Sequence, residues 1–202
     1  MSETRFPRSR REEYTEATRQ ALLAAGRDIF ASEGYQAAGI EAISRAARVT
    51  RGAFYHHFAD KKALFDAVVV AMQAEAAAKV NARSGALPKI WDRMRVGVDA
   101  YLDVCLEPAY ARIVVQEAPA VLGPARFQAI EEQYTTALLL ATLKALKREG
   151  ELAFDDIDLL GRMVDAMICR IAVMLPDADD PKKLRARGQK IIGSLLDSLR
   201  KD

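Results

Sequence analysis

VTRGAFYHHFADKKALF, residues 49–65, sets a Thr, an Arg, a Gly, a Tyr and the chain's only two His within eight residues, with a Lys pair just after an Asp. Apolar residues recur at Val49, Phe54 and Phe58, and upstream at Ile40, Ile43 and Ala47. This spacing predicts two short helices, about Ile40–Ala47 and Arg51–Phe58, joined by a tight turn. Ala46 and Ala47 keep the first of them slim where the second crosses it. Thr50 stands where a hydroxyl caps the following helix. The N-terminal residues of that helix, Arg51, Gly52 and Ala53, then face outward. A helix-turn-helix pushes that end into the major groove of DNA.

The chemistry of the stretch suits a duplex. Arg51 can donate twice to guanine O6 and N7, and the Ala53 methyl can touch a thymine methyl. Gly52 lets the backbone approach closely, while Tyr55, His56 and His57 can donate to phosphate oxygens and Lys61 can neutralise one. Plainer readings exist. Tyr55 taken alone fits a core aromatic, and Lys61-Lys62 alone fits a solvated face. No metal site is expected at His56-His57, because adjacent helical positions point about 100° apart and the chain has no third His.

Around this stretch almost everything reads as helix. Strand alternation is absent, and nine helices are expected. A first helix runs from about Glu12 to Glu33 and stops at Gly34. A fourth begins near Asp60 and ends near Ala82, before RSGALP. A fifth follows Pro88 to about Glu107, and a sixth covers Pro108 to Ala118, ended by APAVLGP. A seventh runs from Pro124 to Glu149, an eighth is capped by Asp155 with Asp158 and runs to Leu175, and a ninth opens at Asp180-Pro181. The expected domains are a basic arm over 1–11, a DNA-binding head over 12–58 and a body over 59–202, with helix 59–82 connecting them.

Charge agrees with that division. Residues 1–65 hold eleven Lys/Arg against eight Asp/Glu, and residues 66–202 hold nineteen against twenty. The arm carries Arg5, Arg8, Arg10 and Arg11, and reads either as a solvated tail or as a minor-groove contact. Cys105 and Cys169 each sit in an apolar run, which fits reduced core thiols; a redox pair requires the two to be close in space. The absence of a long apolar run and of a signal-like N-terminus leads us to expect no membrane partner and a cytoplasmic location.

Read together, LLAAGRDIFASEGY and GIEAISRAARVTRGAFYHHFADKKALF resemble the DNA-binding head of the tetracycline-repressor (TetR) family of bacterial transcription regulators. The pattern G-x-x-Y-x-H-F-x-x-K-x-x-L is the specific part, and the resemblance covers about residues 19–66. It implies that Arg51, Gly52, Ala53 and Tyr55 lie nearest the bases, with Tyr55, His56, His57 and Lys61 on backbone or flanking bases. Three positions depart from the family pattern: Gly26 in place of Ala, Gly39 in place of a Ser or Thr cap, and Arg48 in place of a turn Gly. Arg48 either sits in strain or adds a phosphate contact, alongside Thr50 at the helix start.

The resemblance also implies a body that dimerises and encloses an effector pocket, so that a homodimer reads a palindromic operator and a ligand releases it. The apolar stripes of the last two helices are wide enough for contact on two sides, with the chain's own core and with a second copy. The interface residues they offer are Ile157, Leu160, Val164, Ile168 and Ile171 with Leu184, Ile191, Leu195 and Leu199, and the plainer reading is a purely intramolecular bundle. Leu159, Met163, Ala166 and Val173 broaden the first stripe, and Gly161, Gly188 and Gly193 would permit close approach. Candidate ligand contacts are Trp91, Met94, Tyr101, Cys105, Tyr110, Arg112, Phe127, Tyr134, Met163 and Met167, each of which also fits plain core or a paired structural ion. The expected partners are thus double-stranded DNA, a second copy and an unknown small molecule. No cofactor and no metal is expected. Two rival readings are a regulator controlled by a partner protein or by thiol oxidation, and a helical enzyme using the head as an interaction module. No catalytic cluster supports the enzyme, since both His lie in the head.

Overall fold

A computed structural model of the chain describes residues 10–201. In it α1 (Arg10–Glu33) is followed by α2 (Ile40–Ala46), α3 (Arg51–His57) and α4 (Lys61–Ser84). Next come α5 (Ile90–Val104), α6 (Pro108–Tyr110), a π-helical segment (Ala111–Glu117), α7 (Ala118–Leu122) and α8 (Pro124–Gln133). The chain finishes with α9 (Thr135–Arg148), α10 (Ile157–Met174) and α11 (Pro181–Asp197). Among the described residues there is no sheet, only one isolated bridge between Leu152 and Arg200. The fold is all-α. Among those residues no helix is long and apolar enough to cross a membrane.

Four boundaries differ from the sequence reading, each for a local reason. The helix expected to stop at Ala118 runs on to Leu122, because Pro119 sits in the first turn of α7, where a missing N–H costs nothing. Gly123, at φ +87°, is the actual break. The helix expected over 124–149 is divided at Tyr134, whose backbone leaves the helical region (φ −121°, ψ −83°). Asp156, not Asp155, caps α10 by accepting from the Leu159 amide, while Asp155 pairs with Lys147. Arg10 and Arg11 belong to α1 rather than to an arm; Arg5 and Arg8 lie outside the described residues.

The chain forms two compact units, Met1–Val68 and Val69–Asp202, and the division falls inside α4, the helix expected to connect head and body. The reason lies in the first turns of α4. Leu64 and Phe65 are fully buried, and the Phe65 ring packs edge-on against Phe30 (5.1 Å) and Tyr35 (5.0 Å). Leu22, Phe30, Ile43, Phe54 and Phe58 complete this first core. Gly26 belongs to it as well: a Cβ there would meet Leu64 at 3.0 Å, so the glycine lets α1 and α4 approach closely. At roughly 25 cal/mol per Å² of apolar surface, each such aromatic contributes about 1.5–3 kcal/mol.

The second unit has its own core of Trp91, Met94, Val98, Leu102, Leu143, Leu146, Val164, Ile168, Ile192 and Leu196, drawn from α5, α9, α10 and α11. Two glycines let its helices touch. A Cβ on Gly161 would meet Leu140 at 2.3 Å, and one on Gly188 would meet Ile171 at 2.7 Å. Both were expected to permit a close approach, and the approach they permit is between helices of one chain. Gly193 has open space around it.

Candidate functional site

The first unit presents α3 on its surface. Thr50 caps the helix, its hydroxyl accepting from the Ala53 amide at 3.1 Å. Phe54 is fully buried and Phe58 nearly so, which fixes which face of α3 points inward. The opposite side carries Arg51, Gly52, Tyr55 and His56, all exposed, with Ala53 and His57 half-buried. Tyr55 is 45% exposed, so it is not a core aromatic. The His56 and His57 rings stand 5.3 Å apart at a steep angle. Burial first, then the charges of His56 and Arg19, push His57 below the ordinary histidine range, which favours a neutral ring at pH 7.

Arg51 is held by partners of its own chain. Its guanidinium donates to Glu41 Oε1 at 2.6 Å and to Tyr55 Oη at 3.3 Å, and it lies 5.6 Å from the centre of the Tyr55 ring. Both partners of the ion pair are exposed, so the pair is weak in stability terms, about 0–1 kcal/mol, and easily exchanged. Arg48 adopts φ +57°, the left-handed region that its family position reserves for glycine. Backbone strain is therefore present there, and the Arg48 side chain is exposed.

Lys61 is placed differently from a free phosphate contact. Its ammonium donates to the carbonyl oxygens of Tyr35, Gln36 and Ala38 at 2.7, 3.2 and 2.8 Å. The same ammonium lies 4.5 Å from the Tyr35 ring centre. All three hydrogens of this group thus hold the turn that leads into α2. Sequence reasoning missed this, since nothing local ties residue 61 to residues 35–38. The next residue, Lys62, is exposed.

The second unit contains a cavity of about 350 Å³ between α4, α5, α9 and α10. Its walls are mostly apolar, with Met94, Val98, Leu138, Leu139 and Ile168 among them. Of the expected ligand contacts, Met94 and Tyr101 line it. The others do not, and each has a visible reason. Trp91 is buried in the core under the Arg200 guanidinium, 4.9 Å from its ring. Cys105 and Tyr110 are buried outside the cavity, Met167 packs against the core, and Phe127 and Tyr134 are half-buried away from it. Arg112 pairs with Glu117 at 3.8 Å, and Met163 is 59% exposed on the outside of α10. The α9 residues Leu138, Leu139 and Thr142 were missed; they look like ordinary helix positions until α9 is packed.

Polar side chains line the cavity as well: Asp165, Thr135 and Tyr101, and also Arg93 and Arg148. Asp165 accepts from Thr136 Oγ1 at 3.1 Å, and the Cys169 thiol lies 3.9 Å from Asp165 Oδ2 and 3.8 Å from Glu131 Oε1. Burial first, then the Asp165 charge, pushes Glu131 up to about 7; burial raises Asp165 as well. Burial also pushes the Cys105 thiol up to about 12 and raises Cys169. Both cysteines are therefore protonated at neutral pH, which makes them poor nucleophiles. Gln73, with no exposed surface, accepts from Tyr110 Oη and Thr135 Oγ1, each at 3.3 Å, and its Nε2 has no partner.

The expected interface residues divide by face. Val164 and Ile168 are buried in the chain's own core, and Ile157, Leu160, Ile171 and Leu199 pack against it. Those six residues therefore face inward. Leu184 is half-buried, while Ile191 (60%) and Leu195 (42%) are exposed. The outward apolar face of α10 is instead Leu159 (56%), Met163 (59%) and Val173 (47%), the residues that broadened the stripe. An apolar helix on both sides gives no sequence signal for which side faces in.

Comparison with known proteins agrees with the geometry. Residues 22–68 match the model of bacterial regulatory proteins of the tetR family, and residues 91–199 match the tetracyclin repressor-like C-terminal domain. The Transposon Tn10 TetC protein of Escherichia coli is 29% identical over 170 residues, 82% of this chain and 84% of its own. The HTH-type transcriptional repressor Rv1474c of Mycobacterium tuberculosis is 28% identical over 179 residues, 87% of this chain and 91% of its own. A TetR-family transcriptional regulator from Pectobacterium atrosepticum superposes with a TM-score of 0.81 at 32% identity, over 96% of this chain and 99% of that one. RolR, solved in complex with resorcinol, shares the fold with a TM-score of 0.70 at 17% identity, over 93% and 95% of the two chains. With a matched C-terminal domain model that alone spans more than half its length, and a helix-turn-helix head in front of it, this chain belongs to the TetR family of DNA-binding bacterial transcription regulators.

Proposed function

We propose that the chain acts in the cytoplasm as a homodimeric repressor, binding a palindromic operator through two copies of α3 and released by a small ligand that enters the cavity. The observation that carries this reading is the outward face of α3. A buried Phe54 forces Arg51, Gly52, Tyr55 and His56 into solvent, and Glu41 already extends the Arg51 guanidinium. Arg51 reads a base edge, with Gly52 and Ala53 allowing close approach. Thr50, Tyr55, His56, His57 and Arg48 position the backbone. Lys61 supports the same surface by holding the 35–38 turn.

Dimerisation is supported by the outward apolar residues of α10 and α11. Leu159, Met163, Val173, Ile191 and Leu195 are each more than 40% exposed, a concentration of large apolar side chains that marks an interaction surface. Two heads at fixed spacing then match half-sites about one helical turn, roughly 34 Å, apart. Release follows from linkage. A ligand that prefers the conformation whose heads fit the operator poorly lowers DNA affinity by that preference. The cavity supports this part, as does the ligand complex of the structurally similar RolR.

Sedimentation of Met163→Lys/Ile191→Glu against the parent, with operator binding measured in parallel, tests the reading. We expect the variant to run as a folded monomer and to lose cooperative binding to the palindrome. A parent that is itself monomeric and binds one half-site contradicts it.

A further inference from the structure

Asp165, the one carboxylate that lines the cavity, has an unusual charge balance behind it. Asp165 and Glu131 lie on either side of one thiol, at 3.9 and 3.8 Å, and the hydrogen-bond donors facing them are the neutral Thr136 and Cys169. The thiol has a single hydrogen and can serve only one carboxylate at a time. Arg162, the cation whose charge reaches Asp165, is exposed and is held by Glu132 at 2.9 Å. Gln73, fully buried, accepts from Thr135 close by, and its unpartnered Nε2 is a donor, so it supplies no positive charge to either carboxylate. The hydrogen bonds that reach Asp165 and Glu131 thus come from neutral groups alone.

The cavity's own cations stand elsewhere. Arg148 is the last residue of α9 and Thr135 the first, thirteen residues and about 20 Å apart along the helix. Arg93, which also lines the cavity, donates its Nε to the Leu87 carbonyl at 2.5 Å. Met94, Val98 and Leu139 form apolar wall. A carboxylate removed from water without a compensating charge is costly, and a ligand that brings one recovers that cost on binding.

We propose that this cavity takes a small apolar molecule bearing a protonated amine, its ammonium seated against Asp165 with Glu131 behind. The proposal rests on the reading of the chain as a ligand-responsive regulator and names the chemical class of that ligand. The apolar body lies along Val98 and Leu139. The ammonium donates to Asp165 in place of water. An alcohol of the same shape lacks the charge, and an acid brings a third carboxylate.

Calorimetric titration of the full-length protein with 4-phenylbutylamine, 4-phenylbutanol and 4-phenylbutanoate tests this. The amine should bind about tenfold or more tighter than either of the others. Asp165→Asn should remove that preference, while a melting curve like the parent's shows the variant folded. Leu139→Trp, which fills the cavity, should abolish uptake of all three. Equal affinities, preference for the acid, a preference that survives Asp165→Asn, or no saturable uptake of the amine overturns the proposal. Operator release, read in the same samples, separates the two claims. An acid that binds and releases DNA leaves the regulator reading intact and sinks this one. An amine that binds without releasing DNA does the reverse.

Discussion

The two units handle charge in opposite ways. In the first, the working cation Arg51 stands in water, held by an exposed Glu41 and an exposed Tyr55. In the second, the carboxylates of Asp165 and Glu131 are half-buried beside neutral donors. An exposed pair contributes little and exchanges readily, so it suits a surface that must accept phosphates and bases in place of its own partner. A buried charge without a counter-charge is costly, so its site responds strongly to whatever neutralises it. In the proposed reading, one unit trades partners and the other registers an arrival.

The largest expected effect breaks the first unit outright. Phe54→Ala removes a fully buried ring and should cost about 3–5 kcal/mol, seen in urea unfolding and in complete loss of DNA binding. Persistent operator binding would show that α3 does not depend on that core. Next, Arg51→Ala should relax base preference by about 1–3 kcal/mol at one position of each half-site, measured by binding-site selection. An unchanged selected sequence removes Arg51 from base reading.

Lys61→Ala sharpens the contrast between exposed and partnered charge. Loss of its three carbonyl bonds should cost about 1–3 kcal/mol of stability and weaken binding to all sequences alike. The salt slope of binding should stay unchanged if the ammonium remains on the turn. A fall of about 0.9 would place it on a phosphate.

A pH series examines the second unit. Burial raises Glu131 from 4.5 to about 7, so the folded state holds its proton more tightly than the unfolded chain. Stability from this group is complete below about 4.5 and is lost as pH rises through about 7. Allowing for partial exposure the loss is on the order of 1 kcal/mol, and Glu131→Gln should flatten that limb of the urea midpoints. The smallest effect belongs to Arg48. Replacing it with Gly relieves the left-handed backbone and should raise stability by about 0.5–1 kcal/mol. A loss of operator affinity in the same variant would assign its side chain to a phosphate.

The unequal legibility of these regions has a physical basis. The head could be read because its chemistry lies in one contiguous stretch: the Thr50 cap, the Phe54 and Phe58 anchors and the outward residues between them follow from helix geometry alone. The carbonyl contacts of Lys61 could not be read in the same stretch because its partners lie more than twenty residues earlier. The cavity brings together α4, α5, α9 and α10, and α9 starts at a helix break at Tyr134 that no Gly or Pro announces. The faces of α10 could not be told apart because both are apolar. Only packing against α9 and α11 shows that Val164 and Ile168 face inward while Leu159 and Met163 face out.

The central claim is that two copies of α3 read one duplex. Selection from random duplex DNA, followed by hydroxyl-radical footprinting of the selected site, tests it most directly. The account predicts an inverted repeat with two protected patches on one face of the helix, about one turn or a whole number of turns apart. A single unpaired half-site, protected by one molecule at full occupancy, would contradict it.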